Sequence, residues 1–267
     1  DNTTATVDTA TKGNRADKVV LPGVFVQDEI SLTTKQRLLL GLRYDYDKRH
    51  GNIFTPRIAY KLNISSNDFL RLNAGTGFRV VNIFTEDHAA LTGARAIVIG
   101  EKLKPERSYN INLNYLKNIH TASGWMNFDI SAWYTHFSNR IMPDYETDPN
   151  QIIYDNLDGY AVSKGISLNA EMGFTNSLRI TLGGTLMDVQ ISEKNKEGNK
   201  MKKRQLLTEN WTGTWTVSYS FPKAGLSVDY TGNIYGPMLL PLLGPLDPRE
   251  PESPVWSIQN IQLTKKI

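Results

Sequence analysis

The feature that most constrains this chain is a two-residue alternation of apolar and polar side chains, which returns segment after segment over most of its 267 residues. Successive side chains of a strand point to opposite faces, so each such segment predicts a β-strand with one apolar and one polar side. One segment sets Leu38, Leu40, Leu42, Tyr44 and Tyr46 against Leu39, Gly41, Arg43, Asp45 and Asp47. The next ones set Phe54, Ile58, Tyr60 and Leu62 against Thr55, Arg57 and Lys61, and Leu70, Leu72 and Ala74 against Arg71, Asn73 and Gly75. Tyr109, Ile111, Leu113 and Tyr115 oppose Asn110, Asn112 and Asn114. Met126, Phe128, Ile130, Ala132 and Tyr134 oppose Asn127, Asp129, Ser131 and Thr135, with Trp133 and Phe137 breaking the polar side. Ile166, Leu168, Ala170, Met172 and Phe174 oppose Ser167, Asn169, Glu171 and Gly173. The most regular case sets Trp211, Trp215, Val217, Tyr219 and Phe221 against Thr212, Thr214, Thr216, Ser218 and Ser220. With 24–30, 178–188, 226–235 and 256–265 added, about eleven strands result, of which the first and last alternate poorly. Almost no segment carries a helical period, so the fold class is all-β.

The connections sort themselves. Short ones rich in Ser, Thr, Asn and Gly (32–36, 63–68, 117–124, 175–177 and 222–225) alternate in order with longer ones (79–105, 139–163, 191–210 and 236–254, and a shorter one at 48–52). Up-and-down barrels of the outer membrane have short periplasmic turns and long outer loops, whereas a soluble sandwich has no reason to divide its loops in this way. Aromatic residues near strand ends, among them Tyr44, Tyr46, Trp125, Trp211, Phe221, Tyr235 and Trp256, fit interfacial girdles. The plainer explanation is that aromatics are enriched in any strand.

Composition removes several classes. A net charge of +3 leaves no electrostatic footprint for nucleic acid. The lack of cysteine excludes disulfides, thiolate metal sites and a cysteine nucleophile. No apolar run is long enough for a membrane-spanning helix, and the mean hydropathy of −0.38 would usually indicate a soluble protein. That inference fails for barrels, whose strands are only half apolar. Residues 1–19, rich in Thr, Asn and Asp, are expected to be a truncated extracellular loop.

Residues suited to chemistry are few. His50, His88, His120 and His136 fall on different segments with no ligand spacing, so a metal cluster is not expected. Glu86, Asp87 and His88 are adjacent ligand types, but neighbours in sequence rarely converge on one ion. Asp45 and Asp47 share a face and would suit a calcium-supported loop with Asp144 or Glu146 as helpers; the ordinary expectation is two solvated carboxylates at a barrel rim. No Gly-x-Ser-x-Gly elbow occurs, and no residues are picked out for catalysis. The basic run Lys194, Lys196, Lys200, Lys202, Lys203 and Arg204, opposed only by Glu193 and Glu197, could attract an anionic ferric chelate or lipopolysaccharide phosphates; the ordinary expectation is a flexible solvated loop.

Four ordered motifs carry a resemblance. The run from Pro22 to Glu29 (PGVFVQDE), followed by Leu40 to Asp45 (LGLRYD), resembles a pair of strands with Gln-Asp-Glu and Arg-Tyr-Asp in TonB-dependent receptors. Leu72 to Phe84 (LNAGTGFRVVNIF) is similar to the family's Gly-x-Gly-Phe-Arg segment, with Val81 in place of the usual proline, a departure that resembles some Bacteroidetes-like relatives. Leu103 to Asn110 (LKPERSYN) resembles the lead into the following strand. Tyr154, Asp155 and Asn156 with Gly165 to Leu168 resemble the last pair, with Ser167 where the family often has Glu.

The resemblance implies the C-terminal part of a barrel of about twenty-two strands with a plugged lumen. It implies import through the outer membrane driven by the TonB complex, without cofactor or catalysis. Neither plug nor TonB box is seen in the sequence, so residues 20–267 are expected to be a partial barrel, lacking also the last two strands. The cargo implied is a ferric siderophore first and cobalamin second. The resemblance places Arg79, Glu86, Asp87 and His88 where cargo would be met, and Arg43, Arg71 and Asn73 on the polar lumen wall. The alternatives are a passive porin-like channel, which shares the alternation but not the motifs, and a secreted β-sandwich binding glycans.

Overall fold

The computed structural model describes residues 6–8, 13–15, 20–81, 95–144, 147–148, 150–194, 199–241 and 248–266. Its strands are β1 (Thr6–Asp8), β2 (Gly13–Arg15), β3 (Gly23–Ser31), β4 (Gln36–Asp47), β5 (Gly51–Asn63), β6 (Asp68–Arg79), β7 (Ala96–Ile99), β8 (Glu106–Thr121) and β9 (Gly124–Asn139). They continue with β10 (Ile141–Asp144), β11 (Gln151–Asn156), β12 (Gly159–Phe174), β13 (Leu178–Lys194), β14 (Lys200–Arg204), β15 (Trp211–Phe221), β16 (Leu226–Tyr235) and β17 (Trp256–Lys265). Eleven of these form one antiparallel meander in the order β3-β4-β5-β6-β8-β9-β12-β13-β15-β16-β17, with β14 paired to β13 beside it. The alternating segments are these eleven strands. β1 and β2 pair as a small hairpin within the segment expected to be loop.

Register explains why one face is apolar. Directly paired residues share a face, and Ile30, Leu38, Tyr60, Leu72, Leu113, Ala132, Ile166, Leu186 and Trp211 pair in succession across nine strands. The opposite face carries Asn118, Asn127, Glu171, Thr181, Thr216, Thr231 and Asn260 in a similar row. No second sheet covers the apolar row: Leu113 is 43% exposed and Leu186 62%. The accessible surface of 17623 Å² is half again the roughly 11,700 Å² expected of a folded soluble chain of this mass. The sandwich alternative needs its apolar faces packed together, and the described residues do not pack that way.

The connections divide as the sequence predicts, with turns such as Ala122–Ser123 at one end and the long segments at the other. Several long segments are more ordered than expected. β9 and β12 stay paired up to Phe137 and Ala161, β13 runs on to Lys194, and β10, β11 and β7 form a three-stranded sheet with β11 parallel to β7. Their inward residues Phe137, Ala161 and Ile191 are apolar because Leu157 and Met142 pack on them. The polar side that marks a membrane strand is therefore missing, and the alternation that locates strands fades there.

Two further expectations need correction. Asp45 and Asp47 are not solvated: their exposures are 0% and 2%. Trp125, Tyr235 and Trp256 do not belong to a lipid girdle, because Trp125 pairs with Gly173, Tyr235 with Thr212 and Trp256 with Tyr235, all on the polar face. Trp125 lies over Gly173, where a Cβ would come within 2.6 Å of the indole, and Arg179 stands 5.9 Å from its ring. A tryptophan beside a strand glycine covers exposed backbone, a different use of an aromatic at a strand end.

Candidate functional site

The long-loop end of the sheet holds most of the buried apolar residues. Ile152 and Tyr154 of β11 pack with Val81, Ile97, Leu103 and Ile141, which joins the loop sheet to the tops of β6 and β8. Polar side chains then fasten the same elements. Glu106, 8% exposed, accepts a hydrogen bond from Arg79 Nε at 2.9 Å and forms an ion pair with Arg79 Nη2 at 2.7 Å, and its other oxygen accepts the Ile141 backbone N–H at 3.0 Å. Asn156 Oδ1 accepts the Lys104 N–H at 2.8 Å, Asn156 Nδ2 donates to the Lys102 carbonyl at 3.0 Å, and the Asn156 N–H donates to Glu101 at 3.0 Å. Asn139 Nδ2 donates to the Pro105 carbonyl at 3.1 Å. The family-like motifs therefore meet in space: Arg79, the Pro105-Glu106 pair and Asn156 come from three separate segments and form one clamp.

Beside the clamp, Arg140 donates to Gln205 Oε1 at 2.7 Å and lies 5.3 Å from the Phe137 ring. Burial is the main effect on it and lowers its pKa, with Glu106 opposing and Arg79 adding to that direction; it remains cationic. On the β4–β5 hairpin, Asp45 takes the Arg43 guanidinium at 2.7 and 2.8 Å. Gly23 opposite leaves room for that carboxylate, since a Cβ there would lie 2.2 Å from Asp45 Oδ1. Asp47 Oδ1 accepts the N–H groups of Arg49 and His50 at 2.8 and 3.0 Å, and Gly51 closes the turn at φ +74°. The two carboxylates thus build the hairpin and are occupied by it. Desolvation lowers the His50 pKa, with Asp47 opposing and Arg49 and Lys102 reinforcing.

Of the residues predicted to meet cargo, Arg79 lies at the end of β6 with its side chain 56% exposed and one edge held by Glu106. Glu86, Asp87 and His88 lie outside the described residues. Among the described residues no group of three or more metal-ligating side chains assembles, and His50, His120 and His136 stay on separate elements. The basic run departs from the expected loop: Lys200–Arg204 is strand β14, Lys203 pairs with Glu193 at 2.8 Å and Arg204 with Glu252 at 2.6 Å. Glu106, Asn139, Asn156 and Arg140 were not singled out as site residues by sequence reasoning. The only signal for Glu106 and Asn156 was their place within the motifs.

An antiparallel meander with an exposed apolar face, a polar opposite face and its long connections at one end defines a wall of an outer-membrane β-barrel. The family model of the TonB dependent receptor-like β-barrel matches residues 1–240, and the chain belongs to that family. Its place is the bacterial outer membrane. The iron-regulated outer membrane virulence protein of Vibrio cholerae serotype O1 is 31% identical over 119 residues, 44% of this chain and 18% of that protein. The ferric enterobactin receptor PfeA of Pseudomonas aeruginosa superposes with a TM-score of 0.69 at 16% identity, covering 96% of this chain and 39% of the receptor. The FrpB iron transporter from Neisseria meningitidis gives 0.67 at 16% identity, covering 94% and 40%. The siderophore receptor PirA from Acinetobacter baumannii gives 0.63 at 15%, covering 91% and 39%. The chain thus spans about two fifths of these solved proteins and less than a fifth of the curated relative.

Proposed function

We propose that this chain is part of the barrel of an active importer for a ferric siderophore, working by capture and release without covalent chemistry. The family match over residues 1–240 carries the reading. The iron-related names of the Vibrio, Pseudomonas and Neisseria proteins support iron chelates over cobalamin as cargo. A passive porin-like channel has no claim on the motif residues that converge at the outer clamp.

In this reading, a plug and TonB box elsewhere in the receptor couple it to the inner-membrane TonB complex. The outer face meets lipid, including lipopolysaccharide. Among the described residues β3 and β17 are edges of the sheet, and open edges do not persist in lipid. About nine further strands before β3 and two after β17 would close a barrel of about twenty-two. Arg79, Glu86, Asp87 and His88 are the residues we propose to contact cargo, with the clamp holding the surrounding loops in place.

The test is uptake of radioiron-labelled ferric enterobactin by an iron-starved strain lacking this receptor. Restoration by the full-length gene only when TonB is present supports the reading. Uptake that does not depend on TonB, or growth on small sugars without iron uptake, points to the passive channel.

A further inference from the structure

The lumen face of β3–β6 carries an unbalanced positive charge. On it Arg37 of β4, Lys61 of β5 and Arg71 of β6 are directly paired in one row. Like charges directly opposite each other destabilise a sheet, so the row has a standing cost. Arg57 lies two inward positions above Lys61 on β5, between Gly41 and Gly75 of the neighbouring strands. A Cβ at Gly41 would come within 2.8 Å of Arg57 Nε. The glycine therefore lets the guanidinium lie along the wall, where it donates to Gln27 Oε1. Of these four cations only Arg37 has a carboxylate partner among the described residues, Glu29 at 2.9 Å. The other carboxylates described on this face, Asp45 and Asp47, are engaged at the outer hairpin. Lys61 and Arg71 stand 4.8 and 4.6 Å from the Phe69 ring, which holds them without neutralising them. Between the levels of Arg57 and Lys61 the same face carries apolar Leu39 and Ala59. Glu29, Arg37, Leu39, Lys61, Arg71 and Asn73 line a shallow cavity of about 410 Å³.

We propose that this patch is the seat of a carboxylate-bearing surface of the domain that fills the lumen, with Lys61 and Arg71 at its centre and Arg57 above them. Charge complementarity sets the sign of the occupant, and three observations select resident protein over passing cargo. The cost of the cation row is permanent, so a resident anion offsets it and a transient one does not. Arg37, Lys61 and Arg71 lie within four residues of the short turns. At about 3.4 Å per residue and a tilt of about 45°, that is within roughly 10 Å of the periplasmic rim, at the end opposite Arg79 and the outer clamp. Leu39 and Ala59 between the charges suit contact with packed protein, which buries apolar surface beside ion pairs. The proposal rests on the importer reading for the existence of a lumen-filling domain. It adds the place of the contact, the periplasmic half of β4–β6, and the chemistry of the partner, clustered Asp or Glu.

Zero-length cross-linking of the full-length receptor in neutral detergent with a water-soluble carbodiimide, read by peptide mass spectrometry, tests it. The reagent joins an amine to a carboxylate only where the two are in contact. Lys61 should be joined to an Asp or Glu of the lumen-filling domain, outside residues 1–267. Lys117, which stands 3.4 Å from Asp68 on the other face, should be joined to Asp68 in the same sample and shows that the reagent works. Lys61 joined only to Glu29, or left unjoined while Lys117 reacts, overturns the proposal. Protection of Lys61 from acetylation only when ferric enterobactin is added also overturns it, in favour of a cargo site. The K61Q/R71Q variant should raise the fraction of open channels in planar bilayers by up to about twenty-five-fold, at about fivefold per ion pair lost. K61R/R71K should match the parent, and an unchanged open fraction in K61Q/R71Q counts against the seat. TonB-dependent iron uptake is scored separately. A receptor that imports iron but shows no Lys61 cross-link refutes this proposal alone, whereas a full-length chain without a lumen-filling domain refutes both.

Discussion

Replacing Glu106 by alanine should loosen the outer loop sheet without unfolding the barrel wall. Two hydrogen bonds end on this buried carboxylate, one from Arg79 Nε and one from the Ile141 backbone N–H, and Arg79 Nη2 adds an ion-pair contact. Because the Arg79 side chain is 56% exposed, its ion pair is screened and contributes about 1 kcal/mol or less. The larger cost is the Ile141 N–H, which loses its acceptor in a half-buried site at about 1–3 kcal/mol. Together these give about 1–4 kcal/mol, or roughly fivefold to a thousandfold in the local opening equilibrium. The Gln variant keeps an oxygen for Ile141 and loses only the charge, so about 1 kcal/mol is expected. Amide hydrogen exchange on the full-length receptor in micelles, followed over 139–144 and 150–156, measures this directly. Protection should fall strongly in Glu106→Ala and slightly in Glu106→Gln, while β12 and β13 between 165 and 187 are unchanged. Equal protection at Ile141 in both variants and the parent would refute the clamp.

Leu113→Arg places a charge on the outward face and should cost about 2–4 kcal/mol if it lies near the bilayer midplane, lowering the heat-modifiable folded band on gels. Asn114→Arg on the polar face should leave that band intact. Gly165→Leu should impair assembly by about 1–3 kcal/mol, because a Cβ there would lie 2.4 Å from the Trp133 ring and 2.5 Å from the Leu186 carbonyl oxygen; outer-membrane levels on immunoblots would show it. Acidification should loosen the β4–β5 hairpin. The folded state holds the His50 pKa below its ordinary value, so its neutral form is favoured, and the stability is present above about pH 6.5 and lost as pH falls through the lowered value. Exchange at 48–52 should rise on acidification in the parent and less in His50→Gln.

The membrane wall was legible because alternation is a local property that needs no partner. Rows such as Thr212 to Ser220 declare a strand and its wet face by themselves. The loop end was legible only in part. Phe137, Ala161 and Ile191 look out of place on a polar face until Leu157 and Met142 are seen to cover them. The roles of Asp45 and Asp47 were hidden for a similar reason, since a carboxylate that caps its own hairpin has the same residue type and spacing as a solvated one. The clamp joins residues distant in sequence, Arg79 with Glu106, Glu106 with Ile141 and Lys104 with Asn156. Only the order of the motifs hinted that they belong together.

The central claim is that one face of this sheet meets lipid and the other a wet lumen. The 267 residues contain no cysteine, so single cysteines introduced from 166 to 171, in a full-length receptor with any cysteine outside these residues replaced by serine, can each carry a spin label. In bilayers, labels at 166, 168 and 170 should be relaxed strongly by oxygen and weakly by a water-soluble nickel chelate. Labels at 167, 169 and 171 should show the reverse tendency. Equal accessibility at odd and even positions, or loss of the two-residue period, would contradict the account.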